Sequence, residues 1–186
     1  MNRVEEVMAE LKKKGSEQTR KTLRRHGVTG DLFGVKIADL KPIAKKIKGD
    51  QELACQLYAT GNYDAMYLAG LVADGSQMTK RQLDSWAKLA TCNAISEYTV
   101  SKVASEHPRA RDLAVKWIKS KQEPIACCGW CTYIGVLATR PDEELDLSEV
   151  KELLDRVAQQ IHSAPNLARY SMNNYVIAVG TDGMPL

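Results

Sequence analysis

Aromatic side chains are scarce in this chain, at 6% of residues, and Phe33 is the single phenylalanine. A β-sandwich or barrel draws its core from aromatic and β-branched residues, so this composition argues against one. Leu and Ala must fill the interior, which suits closely packed helices. Long apolar runs are also missing. No stretch approaches the roughly 18 apolar residues of a membrane span, so no membrane partner is expected. The opening MNRVEEVMAELKKKG has no unbroken apolar segment of the kind that marks a signal peptide. The five cysteines are odd in number, and three crowd together as Cys127, Cys128 and Cys131. That is no disulfide framework, and a reducing cytoplasm is the expected location. His26, His107 and His162 stand singly, so the cysteine cluster lacks companions for a four-ligand zinc site. No P-loop, nucleophile elbow or HExxH pattern occurs. No metal and no cofactor are therefore expected.

What is present is average for a soluble globular chain: 186 residues, 44% hydrophobic and 26% charged. A chain of this length buries roughly 70% of its unfolded surface, enough for one core without staples. A single domain over 1–186, acting as a monomer, is expected. The ending TDGMPL follows a helix without an amphipathic cap, which suggests that a C-terminal extension is lacking. The net charge of +3 is unevenly spread. Residues 1–48 carry 13 Lys and Arg against 6 Asp and Glu, and the remainder carries 13 against 17. Such asymmetry hints at an acidic partner such as nucleic acid, although a solvated lysine-rich surface has the same composition.

Apolar residues recur at helical spacing almost everywhere, with no strand-like alternation. Val4, Val7, Met8 and Leu11 precede Gly15, and a second helical stretch ends at Gly27. The segment GVTGDLFG (27–34) reads as a loop. A helix is predicted over about 38–48 with Pro42 in its first turn, where the missing N–H costs little. Further helices are predicted over about 51–60, 63–74, 80–90, 94–106, 109–120, 124–139, 148–162 and 167–179. Asp50 and Thr79 serve as caps, and Asp146 with Glu149 as a capping box. From residue 50 onward these form antiparallel pairs at a coarse period of 30–45 residues, the mark of stacked helical repeats. The expected fold is an all-α, right-handed superhelical solenoid of HEAT/ARM-like pairs, with the more apolar second helices the better buried.

The segments FGVKIADLKPIAKKIK (33–48), QELACQLYATGNYDAMYLAGLVAD (51–74), TKRQLDSW (79–86) and NLARYSMNNYVIAVG (166–180) resemble the bacterial DNA alkylation repair family of AlkD-type alkylpurine DNA glycosylases. The likeness runs over roughly 1–180. It implies HEAT-like helix pairs and hydrolysis of the N-glycosidic bond of purines alkylated at N3 or N7. One carboxylate would stabilise the sugar's developing positive charge. Two tryptophans would flank the lesion's backbone and an arginine would hold phosphate, without the base flipping usual for such enzymes. Carried onto this chain without gaps, the Trp-x-x-x-Asp pattern falls on Asn93 and Glu97. The arginine falls on Cys127 and the second tryptophan on Asn174. The carboxylate is retained as Glu97, one methylene longer, while both aromatics and the guanidinium are replaced. Glu97 is thus the candidate for electrostatic catalysis, with an ordinary solvated carboxylate as the competing reading. Tyr98, Trp130, Tyr133 and Tyr175 lie near these positions in sequence and could form a different cleft, although each of these residue types is more often a core or interface aromatic.

Double-stranded DNA is the partner implied. Arg20, Arg24, Arg25, Lys36, Lys41 and Lys45 gather around the 27–34 loop, and Lys102, Arg109 and Arg169 extend the set. Such residues would hold phosphates without reading bases. Arg169 also opens a helix whose N–H groups favour an anion. Two functions stay open: DNA binding with excision through Glu97, and a catalytically inactive HEAT-like scaffold for protein or structured DNA.

Overall fold

The computed structural model describes residues 2–181, and these are all helix and connection, with no strand among them. The expected ending at 182–186 lies outside the described residues. Several helices start where a side chain satisfies free N–H groups. Asn2 and Glu5 form a reciprocal box at the start of α1 (Arg3–Lys14), and Ser16 caps α2 (Glu17–Arg25). After the loop comes α3 (Ile37–Lys46), followed by α4 (Gln51–Ala59), which Asp50 caps through Leu53 N–H at 3.0 Å. Asn62 caps α5 (Tyr63–Val72), and Thr79 with Gln82 boxes α6 (Lys80–Leu89).

The stretch expected as one helix over 94–106 is three pieces: α7 (Asn93–Ile95), a π turn (Ser96–Val100) and α8 (Ser101–Ser105). Then follow α9 (Ala110–Ile118), α10 (Glu123–Thr139), α11 (Leu147–Gln160) and α12 (Asn166–Thr181).

Two local expectations are corrected. Helix α3 begins at Ile37, so Pro42 sits in its second turn rather than its first. Lys36 supplies no side-chain cap, and without that signal the helix start is placed one residue too late. At α11, Asp146 does accept from Glu149 N–H at 3.2 Å. The return half of the box is absent, because the Glu149 carboxylate is taken by Arg111 and by the Tyr133 hydroxyl, both at 2.7 Å.

From α4 onward the helices stack as antiparallel pairs. The second helices form one layer, with α5 packed on the π turn, the π turn and α8 on α10, and α10 on α12. Small residues permit that closeness. A Cβ on Gly70 would lie 3.1 Å from the Thr99 Cα, and one on Gly135 would lie 2.6 Å from the Ser105 Cβ. The first helices are instead joined by ion pairs, Lys116–Asp84 at 2.6 Å between α9 and α6 and Arg111–Asp146 at 2.8 Å between α9 and the α11 cap. As expected, α5 and α10 bury most of their residues, whereas α6 and α11 bury a single stripe.

The core forms two clusters that meet at α9 and α10, one spanning Val7 to Cys128 and one spanning Ala114 to Val179. In the second, Trp130 and Tyr133 pack on Tyr175 at centroid distances of 5.2 and 5.7 Å. All three are buried. They are therefore core residues and not cleft walls, because their spacing points them between the helix layers.

The 27–34 loop is held from below. The Asp64 carboxylate, fully buried, accepts N–H groups of Phe33, Gly34 and Val35 at 2.6, 3.0 and 2.8 Å. Gly34 has φ +80°, and a Cβ there would lie 2.7 Å from both Arg20 N and Ser16 O, so this position accepts glycine alone.

Candidate nucleic-acid interface

Three of the four positions singled out by resemblance meet on the layer of second helices. Asn93 donates its amide to Glu97 Oε2 at 3.2 Å, and Cys127 donates its thiol to Asn93 Oδ1 at 3.2 Å. Ser171 Oγ lies 3.0 Å from Cys127 Sγ and 3.8 Å from Cys131 Sγ. Elements α7, the π turn, α10 and α12 thus all supply side chains to a single polar chain, α10 two of them. Asn174 lies one turn beyond Ser171 on the same side of α12, partly exposed.

The π turn positions Glu97. The Ser101 N–H bonds Ser96 O, five residues back, and the Ser101 hydroxyl lies 2.7 Å from Ser96 O and 2.6 Å from Glu97 O. An extra residue in the turn shifts the register, so Ser96 and Thr99 point inward while Glu97 is half-buried and Tyr98 is 55% exposed. Such bulges recur at functional sites.

Burial pushes the Glu97 carboxyl above its ordinary value, against the hydrogen bonds from Asn93 and Tyr98. The Glu97 charge in turn pushes up the Tyr98 phenol, with burial, Tyr170, Cys131 and Tyr67 acting in the same sense. A hydrogen bond from Cys131 holds the Cys127 thiol below the ordinary value and Cys131 above it. Half-buried Tyr67 of α5 and Tyr170 of α12, at 51% exposure, thus lie close enough to exposed Tyr98 to act on its charge, and Tyr98 adjoins Glu97. Of these, sequence reasoning considered only Tyr98. Tyr170 was legible from its four-residue spacing to Asn174, which puts both on one side of a helix.

The basic candidates divide. Helix α3 packs on α5, so exposed Lys41 and Lys45, four residues apart, extend the second-helix layer at its amino end, with Lys36 at the start of α3. Lys102 joins the layer directly, its Nζ 3.2 Å from Gly70 O. Arg169 is exposed in the first turn of α12 and reaches back to Ala164 O at 3.2 Å. Arg24 keeps its charge but is tied to its own loop, its guanidinium donating to Val28 O at 3.0 Å and Gly30 O at 2.6 Å. Arg20 pairs with Glu17 at 3.4 Å, while Arg25 is exposed without an ion pair among the described residues. Arg109 leaves the group altogether. It pairs with Asp112 at 2.6 Å, which also holds Lys80 of α6, so it belongs to the first-helix layer.

Cys127, Cys128 and Cys131 bear no disulfide, and among the described residues no cluster of three His, Cys, Asp or Glu is placed to hold a metal ion. Cys128 is the small buried residue expected, while Cys127 belongs to the polar chain. Among the described residues no helix is long and apolar enough to cross a membrane.

Paired helices stacked in one array define a HEAT-like repeat solenoid. A solved structure described as a new family of proteins related to the HEAT-like repeat DNA glycosylases with affinity for branched DNA structures superposes with a TM-score of 0.92. It is 40% identical, over 98% of this chain and 78% of that one. The family model described as DNA alkylation repair enzyme matches residues 7–182, and the chain belongs to that family. The uncharacterized protein Lin0241 of Listeria innocua is 31% identical over 182 residues, covering 95% of this chain and 78% of the relative. The Listeria monocytogenes protein Lmo0209 is 30% identical over the same length.

Proposed function

We propose that this protein binds DNA along its layer of second helices, with a branched or otherwise distorted duplex as the ligand and the Glu97 centre facing the deformed step. The observation that carries this reading is the half-buried Glu97 carboxylate, bonded by Asn93 at 3.2 Å and flanked by exposed Tyr98, with Lys102 on the same layer. Aromatic faces suit bases that have lost a stacking neighbour, and such bases occur at branches. The described affinity of the 40%-identical structure for branched DNA supports the same assignment. Lys36, Lys41, Lys45, Arg25 and Arg169 would supply phosphate contacts at the two ends, which position the ligand without reading sequence. The protein would act as a monomer in the cytoplasm, a setting that suits five free cysteines.

The test is binding to duplex, flap and four-way-junction DNA across a salt series. Affinity should fall with salt at a log–log slope of about −0.9 per phosphate contact, and the junction should bind tighter than the duplex. A flat salt dependence or no binding at low salt overturns it, and recovery of a stoichiometric protein partner in place of DNA would favour the inactive scaffold.

A second reading, excision of alkylated purines, is favoured by the half-buried Glu97 carboxylate on the second-helix layer. Glu97 would stabilise the cationic sugar as the purine departs. Release of N7-methylguanine from alkylated DNA, abolished in Glu97→Gln, supports it. No release, or release unaffected by the substitution, ends it.

A further inference from the structure

The two edges of the helix array carry opposite charge. Where a second helix returns to a first one, the connections over 73–79, 106–109 and 140–146 hold six carboxylates, four of them in the last, against Arg109 and Arg140. Where a first helix turns into a second, the connections over 60–62, 90–92, 119–122 and 161–165 hold no carboxylate, and Lys119 and Lys121 stand on one of them. Lys88 lies in the last turn of α6 and Arg156 one turn before the end of α11, so both flank this second edge. Sequence reasoning singled out none of these four.

Contacts make that edge continuous. Thr29 donates its hydroxyl to Thr91 O at 3.2 Å, which joins the 27–34 loop to the α6–α7 connection. Lys88 shares a hollow of about 260 Å³ with Ser120 and Gln122 of the α9–α10 connection. Lys121 in turn shares a cavity of about 430 Å³ with Arg156 and with Ser163 of the α11–α12 connection. Lys88, Lys119 and Lys121 are exposed, and none of them has an ion-pair partner among the described residues. The carboxylates nearby are already engaged: Asp84 accepts from Lys116 at 2.6 Å and from the Trp117 indole at 2.8 Å, and Glu123 from Leu167 N–H at 2.7 Å. Arg156 is held by neutral acceptors, Ile118 O at 3.3 Å and Gln160 Oε1 at 3.1 Å, and keeps its full charge. Complementarity to the helix dipole accounts for Lys88 and Lys119, at the ends of α6 and α9. It does not account for Lys121, or for an edge whose connections are empty of carboxylates. The same edge borders the Glu97 centre, because Asn93 opens α7 while Cys127 and Ser171 lie in the second turns of α10 and α12.

We infer that this edge carries a second duplex arm of branched DNA, whose phosphates lie on Lys88, Lys119 and Lys121. The first arm follows the second-helix layer, the branch point sits at the Glu97 centre, and the second arm leaves over the adjoining edge. The inference rests on the DNA-binding reading above and adds a second surface to it. The cations belong to neighbouring helices, whose axes pack about 8–10 Å apart. Duplex DNA offers a charge about every 1.7 Å along its axis, so it meets cations at any such spacing. An acidic peptide would have to match them residue by residue. The four connections contain no Phe, Trp or Tyr, so they offer no platform for stacking single-stranded bases, which favours a duplex arm.

Binding of the full chain to a four-way junction and to a linear duplex of equal total length, each over a salt series, tests this. The triple variant Lys88→Gln, Lys119→Gln, Lys121→Gln should bind the junction about tenfold or more weakly. Its junction log–log salt slope should fall in magnitude by up to about 2.7, about 0.9 for each lysine, while the linear duplex keeps its slope and affinity. Lys121→Gln alone should remove about 0.9 from the junction slope. All three side chains are exposed, and an unchanged thermal midpoint separates lost binding from lost fold. Equal losses on junction and duplex would place these lysines under the first arm and overturn the inference, as would a junction affinity indifferent to the substitutions. Displacement of the junction from the parent by poly-glutamate at equal charge concentration would give the edge to an acidic protein instead. A parent that binds neither DNA at low salt ends the DNA-binding reading and this inference together, an outcome distinct from junction binding that the lysines do not affect.

Discussion

Cys127 donates its thiol to the Asn93 carboxamide at 3.2 Å, so the two positions where the family resemblance places an arginine and a tryptophan hold side chains bonded to each other. The replacements form one unit: each neutral group satisfies the other, and Ser171 closes the far side of the thiol at 3.0 Å. Cys127 is fully buried. Cys127→Arg would place a charge with little access to water, at a cost of about 3 kcal/mol or more. Cys127→Ser keeps a small donor and should stay within about 1 kcal/mol of the parent. Urea unfolding of the two variants measures the difference. Equal midpoints would mean that the position is open to solvent and free to accept the family's arginine.

Glu97→Gln should raise stability near neutral pH. Burial lifts the Glu97 pKa in the folded chain above its ordinary value near 4.5, so the fold binds that proton more tightly than the unfolded chain does. Stability therefore declines as pH rises from about 4.5 through the folded value, and glutamine removes the decline. Unfolding at pH 7 should favour the variant, and the advantage should vanish below the ordinary value, where the carboxyl is protonated in both states. The same substitution should lower the Tyr98 pKa, because Glu97 is the largest cause of its rise. Spectrophotometric titration of the phenols reads this directly. A Tyr98 pKa unmoved by Glu97→Gln would separate the two side chains.

Asp64→Ala should be among the most damaging single substitutions. The one carboxylate gathers the N–H groups of Phe33, Gly34 and Val35, and alanine leaves buried donors behind it. At about 1–3 kcal/mol for each unsatisfied group, the loss should reach about 3 kcal/mol or more. Asp64→Asn keeps one acceptor and should fall between. Denaturant midpoints for both, together with hydrogen exchange at Gly34 and Val35, test the role. A loss below about 1 kcal/mol would show that water replaces the carboxylate.

These contacts mark where the sequence was legible and where it was not. Helical spacing of Leu and Ala, together with the caps Asp50 and Thr79, exposed the repeats because those signals are local. Asp64 carries no such signal. It looks like an ordinary acidic residue in a helix's first turn, and its partners lie about thirty residues upstream. The π turn was hidden for the same reason, since SEYTV continues an amphipathic pattern and the bulge depends on Ser101 and on Thr99 packing against Gly70. Trp130 and Tyr133 were ambiguous because a three-residue spacing suits core and cleft alike. For the site, resemblance singled out Asn93, Glu97 and Cys127, which the structure joins by hydrogen bonds, yet composition could not tell a free lysine from one already paired.

Arg109 and Lys102 separate those cases by experiment. Both are exposed cations of the same region of sequence, but Arg109 is neutralised by Asp112 among the first helices, whereas Lys102 stands on the second-helix layer with only the Gly70 carbonyl at 3.2 Å. If DNA lies along that layer, Lys102→Gln removes one phosphate contact and reduces the magnitude of the log–log salt slope by about 0.9. Arg109→Gln should leave the slope unchanged and cost under about 1 kcal/mol of stability, as for other exposed pairs. Fluorescence anisotropy on one junction substrate over a salt series resolves both. The opposite outcome, with Arg109 governing the slope and Lys102 silent, would move the DNA to the first-helix layer, where Arg111, Lys80 and Lys116 are already engaged by carboxylates.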